Sequence, residues 1–298
     1  MHKIEEIAVQ YAQIQSEICS KLAETDGEEN FVVHPWKKDI GSGLTNVLQG
    51  GAAIEKGAVN FSFVKGDFTP KMESLLGEKA NKYAATGISS IMHPVNPFVP
   101  IIHMNVRHFS LDNGTEWFGG GIDLTPHFIN PAQAREFHLA LKAVCDKYDV
   151  DYYPKFKSWA DDYFYLPHRE ETRGVGGIFF DRVKPTKEVS FHKLLDFTSD
   201  LGRLYPVIYS KFIQDNRHKP FTEADKRWQQ LRRGRYVEFN LIYDRGTKFG
   251  LESNGNTESI LLSLPANASW EYNCVPEENS PEEVTQKVLK KGVDWINY

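Results

Sequence analysis

The 298-residue sequence has few of the features that mark disulfide-rich, membrane-spanning or nucleic-acid-binding proteins. It contains three cysteines, Cys19, Cys145 and Cys274, with no C-x-x-C spacing, so it encodes neither a disulfide framework nor a thiolate zinc site. No stretch approaches the ~20 apolar residues that a membrane span needs. The net charge of −5 gives no general attraction to nucleic acid. We therefore expect a cytoplasmic protein with no membrane span and no nucleic-acid partner.

The order of helical and extended patterns predicts the fold class. Helices are expected over 3–24, 131–148, 154–165, 189–215 and 222–232 and from 281, with a short helix opening at Thr69-Pro70. Strands are expected over 58–64, 100–110, 115–125, 177–182, 235–243 and 258–264, and a glycine-rich loop over 41–57. Helices and strands do not alternate regularly, which favours an α+β fold with a large, mainly antiparallel sheet. No linker or repeat divides the chain, so residues 1–298 are predicted to form a single domain.

The strand around residues 101–107 carries an unusual set of polar side chains. Because side chains alternate between the faces of a strand, His103, Asn105 and Arg107 should lie on one face and the apolar residues between them on the other. The polar row combines an acid/base group, an amide and a guanidinium, which favours a ligand site. An ordinary solvated strand face is the alternative interpretation.

A run of three glycines, 119–121, precedes Asp123 in the next predicted strand. Glycines remove side chains where a backbone or a ligand approaches closely, and an ionised Asp123 could accept hydrogen bonds from ligand N–H groups. The run is not a phosphate-binding loop, because the sequence has no G-x-x-x-x-G-K-[ST] motif. A ligand site and a structural bulge explain the glycines about equally well.

Four histidines lie in or beside these segments: His93, His103, His138 and His168. Their spacings match no compact metal-binding motif. Imidazoles from separate elements can nevertheless converge on a transition metal. Surface histidines, or buried histidines with protein hydrogen-bond partners, are the alternative.

Six long segments, in order, resemble the oxygen-dependent coproporphyrinogen III oxidase family. They are the segments His93–Arg107, Trp117–Pro126, Tyr163–Arg169, Arg173–Asp181, Arg235–Gly250 and Thr257–Pro265. The resemblance runs from about residue 31 to 273. It implies an antiparallel sheet flanked on both faces by helices, and a homodimer to which the segment from about 236 to 271 contributes.

The resemblance also implies an activity. The family oxidatively decarboxylates two propionates of coproporphyrinogen III to vinyls, which gives protoporphyrinogen IX, CO₂ and H₂O₂ in haem biosynthesis. O₂ is the co-substrate, no organic cofactor is expected, and a requirement for a divalent metal cation is disputed. A tetrapyrrole-binding protein without this activity, or with altered specificity, is the second hypothesis, and metal-dependent oxygen chemistry on another aromatic acid is the third.

Carried over by position, the resemblance assigns roles to individual residues. The catalytic set is His103, as proton donor, with Asp123 and Arg107. The expected substrate contacts are Ser89, Asn105, Arg107, Asn254, Gly255 and Asn256, and the expected metal ligands are His93, His103, His138 and His168.

Three positions depart from the family pattern. Asn46 and Asn256 stand where the family usually has arginine, and Arg182 follows Asp181 where the family usually has a second aspartate. If both arginines contact propionates, their loss should weaken binding by ~10- to 100-fold each. Arg182 is a candidate to compensate for that loss.

Overall fold

The fold centres on a seven-stranded sheet, as seen in a computed structural model that describes residues 2–252 and 256–298. The strand order is β1-β2-β3-β4-β5-β6-β9, and all neighbouring strands are antiparallel. The strands of this sheet are β1 (Val32–Lys38), β2 (Gly41–Gln49), β3 (Ile54–Asp67), β4 (Lys82–Pro94), β5 (Ile101–Leu111), β6 (Glu116–Thr125) and β9 (Gly176–Val183). β7 (Tyr165–Leu166) and β8 (Glu171–Thr172) form a separate short hairpin.

Helices pack on both faces of this sheet, and the predicted α+β class is confirmed. They are α1 (His2–Asp26), α2 (Pro70–Leu76), α3 (Pro131–Asp146), α4 (Tyr152–Tyr163), α5 (Phe191–Asn216), α6 (Glu223–Glu238), α7 (Arg245–Glu252), α8 (Thr257–Leu261) and α9 (Pro281–Val288). A π-helical segment, Phe239–Tyr243, continues α6. Within the described residues, no helix is both long enough and apolar enough to cross a membrane.

The main hydrophobic core lies between one face of the sheet, here the core face, and helices α1 and α5. The apolar residues of α1 recur every three or four positions and are buried, as Ile7, Ile14 and Leu22 show. From the sheet, Ile102 and Met104 point into the same core and are also fully buried. Burial of apolar surface stabilises a fold by ~25 cal/mol per Å². This packing is therefore the main interaction that holds α1 and α5 on the sheet.

The opposite face of the sheet, here the site face, is only partly covered. Tyr236 of α6 lies edge-on to the imidazole of His93, with ring centroids 5.3 Å apart. In α8, the Ser259 hydroxyl lies 2.8 Å from that of Thr45 in β2, and the Ser259 carbonyl accepts a hydrogen bond from Asn60 in β3. The C-terminal part of α6 and α8 therefore cover one side of this face. At its other end, Trp117 of β6 is buried against Phe68 and Met72 of the α2 region.

Two regions differ from the sequence-based prediction. The predicted loop over 41–57 contains β2 and the start of β3, because its glycines fit the crowded sheet: a Cβ on Gly43 would lie 2.6 Å from the Trp36 ring. The predicted strands over 235–243 and 258–264 are wrong, since both segments are largely helical. In the first segment, burial of Arg232, Tyr236 and Phe239 follows helical spacing and continues α6.

Candidate active site

The site face carries two cross-strand rows of polar and glycine residues at the middle of the sheet. Ser89 of β4 is paired with Asn105 of β5, which is paired with Gly121 of β6. In the next row, Arg107 is paired with Gly119. His103, Asn105 and Arg107 therefore share one face of β5, as the alternation of side chains predicts. We call this part of the site face, formed by Ser89, His103, Asn105, Arg107 and the two glycines, the trough.

Gly119 is required by the close approach of two charged side chains. The Nη2 of Arg107 donates a hydrogen bond of 2.9 Å to the Oδ1 of Asp181 in β9. A Cβ at position 119 would lie 2.6 Å from that oxygen and 3.0 Å from the Nε of Arg107. The glycine thus lets the ion pair lie directly against the sheet, and Arg107, which is 39% exposed, stays accessible.

At one end of the trough, His103 belongs to a buried charge network. Its Nδ1 donates a 2.9 Å hydrogen bond to the Oδ1 of Asp123, and the Nη2 of Arg173 donates one of 2.7 Å to Oδ2. Burial alone would raise the pKa of Asp123, but the positive charge of Arg173 and the contact with His103 outweigh it and lower that pKa. Asp123 is therefore an ionised carboxylate that fixes the ring orientation of His103.

Arg173 is held in place by three aromatic rings. Its guanidinium carbon lies 4.4–4.6 Å from the ring centroids of Phe164, Tyr236 and Phe239. Its Nη1 donates to the side-chain oxygen of Asn240, 2.8 Å away. A cation that is only 2% exposed needs such partners, since an uncompensated buried charge is strongly destabilising. These three rings, here the aromatic cage, therefore fix Arg173, which in turn fixes Asp123 and His103.

A second carboxylate, Asp244, lies close to this network. Its Oδ1 accepts a 2.7 Å hydrogen bond from the Tyr163 hydroxyl, and its Oδ2 accepts two from Thr247. Burial raises the pKa of Asp244, whereas these hydrogen bonds and the charge of His103 lower it, and the net direction is down. The Tyr163 ring stacks on Phe179 at 4.0 Å, which holds the hydroxyl in position.

Sequence reasoning missed Arg173, Asp244 and Tyr163 as site residues. All three lie inside the segments that carried the resemblance, but on separate elements of the chain. A charged residue within an aromatic-rich segment was the available signal, because such a charge is buried only with a partner. Which partner it has depends on tertiary structure.

The other three histidines have protein partners at separate places. The Nε2 of buried His93 donates to the Ser263 carbonyl, that of His138 donates to the Val175 carbonyl, and that of His168 donates to Glu238. Among the described residues, no three His, Cys, Asp or Glu side chains converge as a group that could hold a metal ion. The expected centre of four histidines is therefore not assembled, and these donor sets do not fit a metal.

The positions that depart from the family pattern lie in different surroundings. Asn46 is buried on the core face, where its side chain donates to the Sγ of Cys19, so the expectation that it affects a propionate contact is wrong. The side chains of β2 alternate, and its neighbour Thr45 faces the trough side instead. Asn256 is the N-cap residue of α8. Asn254 and Gly255 lie outside the described residues.

The fold and this geometry define a class of protein: an α+β protein with an acid–base network beside an accessible arginine on one face of its sheet. The chain belongs to the coproporphyrinogen III oxidase family, whose sequence model matches residues 6–295.

Named relatives support the same assignment. The chain is 45% identical over 301 residues to the oxygen-dependent coproporphyrinogen-III oxidase, mitochondrial, of Rattus norvegicus, covering 96% of this chain and 67% of that protein. It is 45% identical to the Homo sapiens protein of the same name, covering 95% and 65%. It is 42% identical to the chloroplastic protein of Nicotiana tabacum, covering 95% and 75%. The chain therefore spans about two thirds to three quarters of the length of these relatives.

Proposed function

We propose that this protein catalyses the oxygen-dependent oxidative decarboxylation of two propionates of coproporphyrinogen III, giving protoporphyrinogen IX. Family membership and 45% identity to proteins with this printed activity support the proposal. The structural observation that carries it is the His103–Asp123–Arg173 network at the end of a trough that also exposes Arg107. These groups offer proton transfer and carboxylate binding on one surface.

The balanced reaction defines what the protein must supply. Each propionate, R–CH₂–CH₂–COO⁻, reacts with O₂ and one proton to give R–CH=CH₂, CO₂ and H₂O₂. Two electrons pass from the substrate to O₂, so the substrate itself is the reductant. The protein has to bind the anionic arm, exclude water and deliver one proton for each arm.

His103 is the residue that we assign to proton delivery. Its Nδ1 is engaged with Asp123, so its other ring nitrogen, Nε2, is the group available for exchange. The side chain is 24% exposed, which gives it access to a molecule in the trough. The hydrogen bond to Asp123 fixes the orientation of the imidazole, so the same ring nitrogen faces the substrate in each proton transfer.

The structure changes the role expected for Asp123. A direct contact with pyrrole N–H groups was expected, but Asp123 is only 2% exposed and each of its oxygens already accepts a hydrogen bond. We therefore propose that Asp123 positions His103. Asp244 is partly exposed and its oxygens retain lone pairs, so it is our candidate acceptor for the pyrrole N–H groups.

Substrate anchoring falls to the cations and amides of the trough. Arg107 remains accessible beside Asp181, and the exposed Arg245 lies with its guanidinium carbon 5.8 Å from the Tyr163 ring. Each could hold one propionate by charge-assisted hydrogen bonds. Ser89 and Asn105 are paired on neighbouring strands, next to Arg107, and we assign them neutral polar contacts with the substrate.

Product formation tests the proposal. Purified protein incubated aerobically with coproporphyrinogen III should form protoporphyrinogen IX, which is detected by its fluorescence after oxidation to protoporphyrin. His103→Ala is the control, because it removes the proton carrier and keeps the Asp123–Arg173 ion pair. Absence of product above this control would refute the proposed activity.

The two alternative functions have less support. The binding-only hypothesis rested on Asn46 and Asn256, and Asn46 lies on the core face, away from the trough. The metal-dependent hypothesis rested on four histidines that contact separate protein groups. A divalent cation remains a prediction from the resemblance.

We further propose that the protein is a homodimer. The segment 236–271 exposes Leu241, Ile242 and Trp270 by 46%, 47% and 52%, which is typical of apolar side chains that a partner covers. Light scattering should give twice the 34.1 kDa chain mass, and Ile242→Lys should shift the mass toward the monomer. A mass of one chain for the unaltered protein would contradict the proposal.

Two other sequence-based expectations remain predictions. A cytoplasmic location is one of them, and the relatives' names print mitochondrial or chloroplastic. A single domain over residues 1–298 is the other. It is supported by one hydrophobic cluster that takes in side chains from Ile4 to Trp295.

A further inference from the structure

The last strand of the sheet contains an irregularity beside the trough. Along the β6–β9 pairing, Gly120 is opposite Phe180 and Phe118 is opposite Val183, so two residues, Asp181 and Arg182, stand opposite the single residue Gly119. This is a β-bulge, a device that re-aims a side chain next to functional sites. The extra residue places two charged side chains where a regular strand would place one.

Arg182 has an unusual backbone conformation at this bulge. Its φ is +52°, in the left-handed region, which costs a residue with a Cβ about 1–2 kcal/mol. Only four residues other than glycine have a positive φ among the described residues, and Arg182 is the one that lies in a strand of the large sheet. The strand pairing on both sides of the bulge maintains this strained conformation. Because of the bulge, the Arg182 side chain does not follow the alternation of side chains between the two faces of β9.

The guanidinium of Arg182 is a cation without a carboxylate partner among the described residues. The adjacent carboxylate, Asp181, is already engaged by Arg107. The Arg182 side chain is exposed, and its guanidinium carbon lies 6.0 Å from the Trp117 ring centroid. Lys184 lies at the same distance from that ring, but it is paired with Glu78. Of the two cations beside Trp117, Arg182 is therefore the one without a carboxylate partner among the described residues.

The position of this cation relative to the trough defines what it can bind. Trp117 and Gly119 share the site face of β6, and two residues of a strand span ~6.8 Å. The Arg182 guanidinium therefore lies beside the side chain of the row next to that of Arg107 and Gly119. A flat molecule on the site face with one anionic arm on Arg107 would bring a second arm at its edge to this row.

We propose that Arg182 binds a second carboxylate arm of the substrate, next to the arm held by Arg107. This inference rests on the proposed function and assigns one further substrate contact to it. Asp181 offsets part of the charge of Arg107, so that pair attracts a tetra-anionic substrate less strongly than an unpaired guanidinium does. The unpaired Arg182 supplies net positive charge at the same edge in a chain whose overall charge is −5.

The test compares Arg182→Gln with Lys184→Gln. The second variant is a matched control, because Lys184 lies next to the same ring but is already neutralised. Arg182→Gln should raise KM for coproporphyrinogen III by about 10-fold, with kcat within about 2-fold, and Lys184→Gln should change KM by less than 2-fold. Arg182→Lys should recover most of the lost affinity. Equal effects of Arg182→Gln and Lys184→Gln on KM would overturn the inference.

A binding measurement separates this inference from the proposed activity. Coproporphyrin III, the fluorescent oxidised form, keeps the four carboxylates and is not decarboxylated. Its Kd should rise about 10-fold in Arg182→Gln and stay unchanged in the control, and the difference should shrink at 0.5 M salt because charges are screened. Normal turnover with unchanged Kd in Arg182→Gln would refute this inference alone. No turnover and no porphyrin binding by the unaltered protein would refute both.

Discussion

Replacing Asp123 by asparagine separates the two tasks of the buried network. The substitution keeps the size of the side chain and removes its charge. Arg173, only 2% exposed, then loses its carboxylate partner, and His103 loses the acceptor that fixes its Nδ1–H. Both stability and turnover should therefore fall.

The loss of stability follows from the burial of Arg173. Removing one partner of a buried ion pair costs about 3–5 kcal/mol. We expect the low end, about 3 kcal/mol, because the aromatic cage and the hydrogen bond to Asn240 remain. For a chain of this size that corresponds to a decrease in Tm of roughly 6 °C.

The loss of activity follows from the state of His103. An asparagine can donate its N–H to the imidazole and favour the wrong tautomer, a change that costs catalytic histidines orders of magnitude in rate. We expect kcat to fall at least 100-fold.

The assay pairs calorimetry with aerobic turnover of coproporphyrinogen III. His103→Ala is the matched control, since it should abolish activity with a much smaller change in Tm. Asp123→Asn activity within a few-fold of the unaltered protein, or an unchanged Tm, would refute the reasoning.

Three further predictions follow from individual contacts. Gly119→Ala places a Cβ against the Arg107 ion pair, so KM for coproporphyrinogen III should rise several-fold, and unchanged kinetics would show that the pair can move freely. Tyr163→Phe removes a hydrogen bond that lowers the pKa of Asp244, so the acidic limb of the kcat/KM profile should move to higher pH, and an unshifted limb would contradict that role. Burial lowers the pKa of His138 to about 4, below its unfolded value, so the unfolded state binds the extra proton. The free energy of unfolding from urea titrations should therefore fall between pH 6.5 and pH 4, by roughly 3 kcal/mol from this group, and a constant value would contradict it.

The sequence predicts the strand geometry of the site because strand periodicity is local. His103, Asn105 and Arg107 share a face since side chains alternate, and Asp123 faces His103 since a short turn at Asn113-Gly114 sets the hairpin register. Helix α1 is also predicted correctly, because its apolar residues recur every three or four positions and this spacing is a local property of the sequence.

The rest of the site depends on contacts between distant segments. The sequence could not show that Arg173 takes one oxygen of Asp123, because fifty residues separate them. The pattern of apolar and polar residues over 235–243 fits a strand as well as a helix. Packing of Tyr236 and Phe239 around Arg173 favours the helix. The sequence also does not show that the side chain of Asn46 lies on the core face, because the family pattern does not specify which face of β2 this position occupies.

A crystal structure with bound coproporphyrin III would show directly whether the substrate contacts His103 and Arg107. We expect the macrocycle on the site face of the sheet, with one propionate on Arg107 and another within reach of the Nε2 of His103. A macrocycle bound on another surface, or on the site face with every propionate pointing away from both side chains, would contradict it.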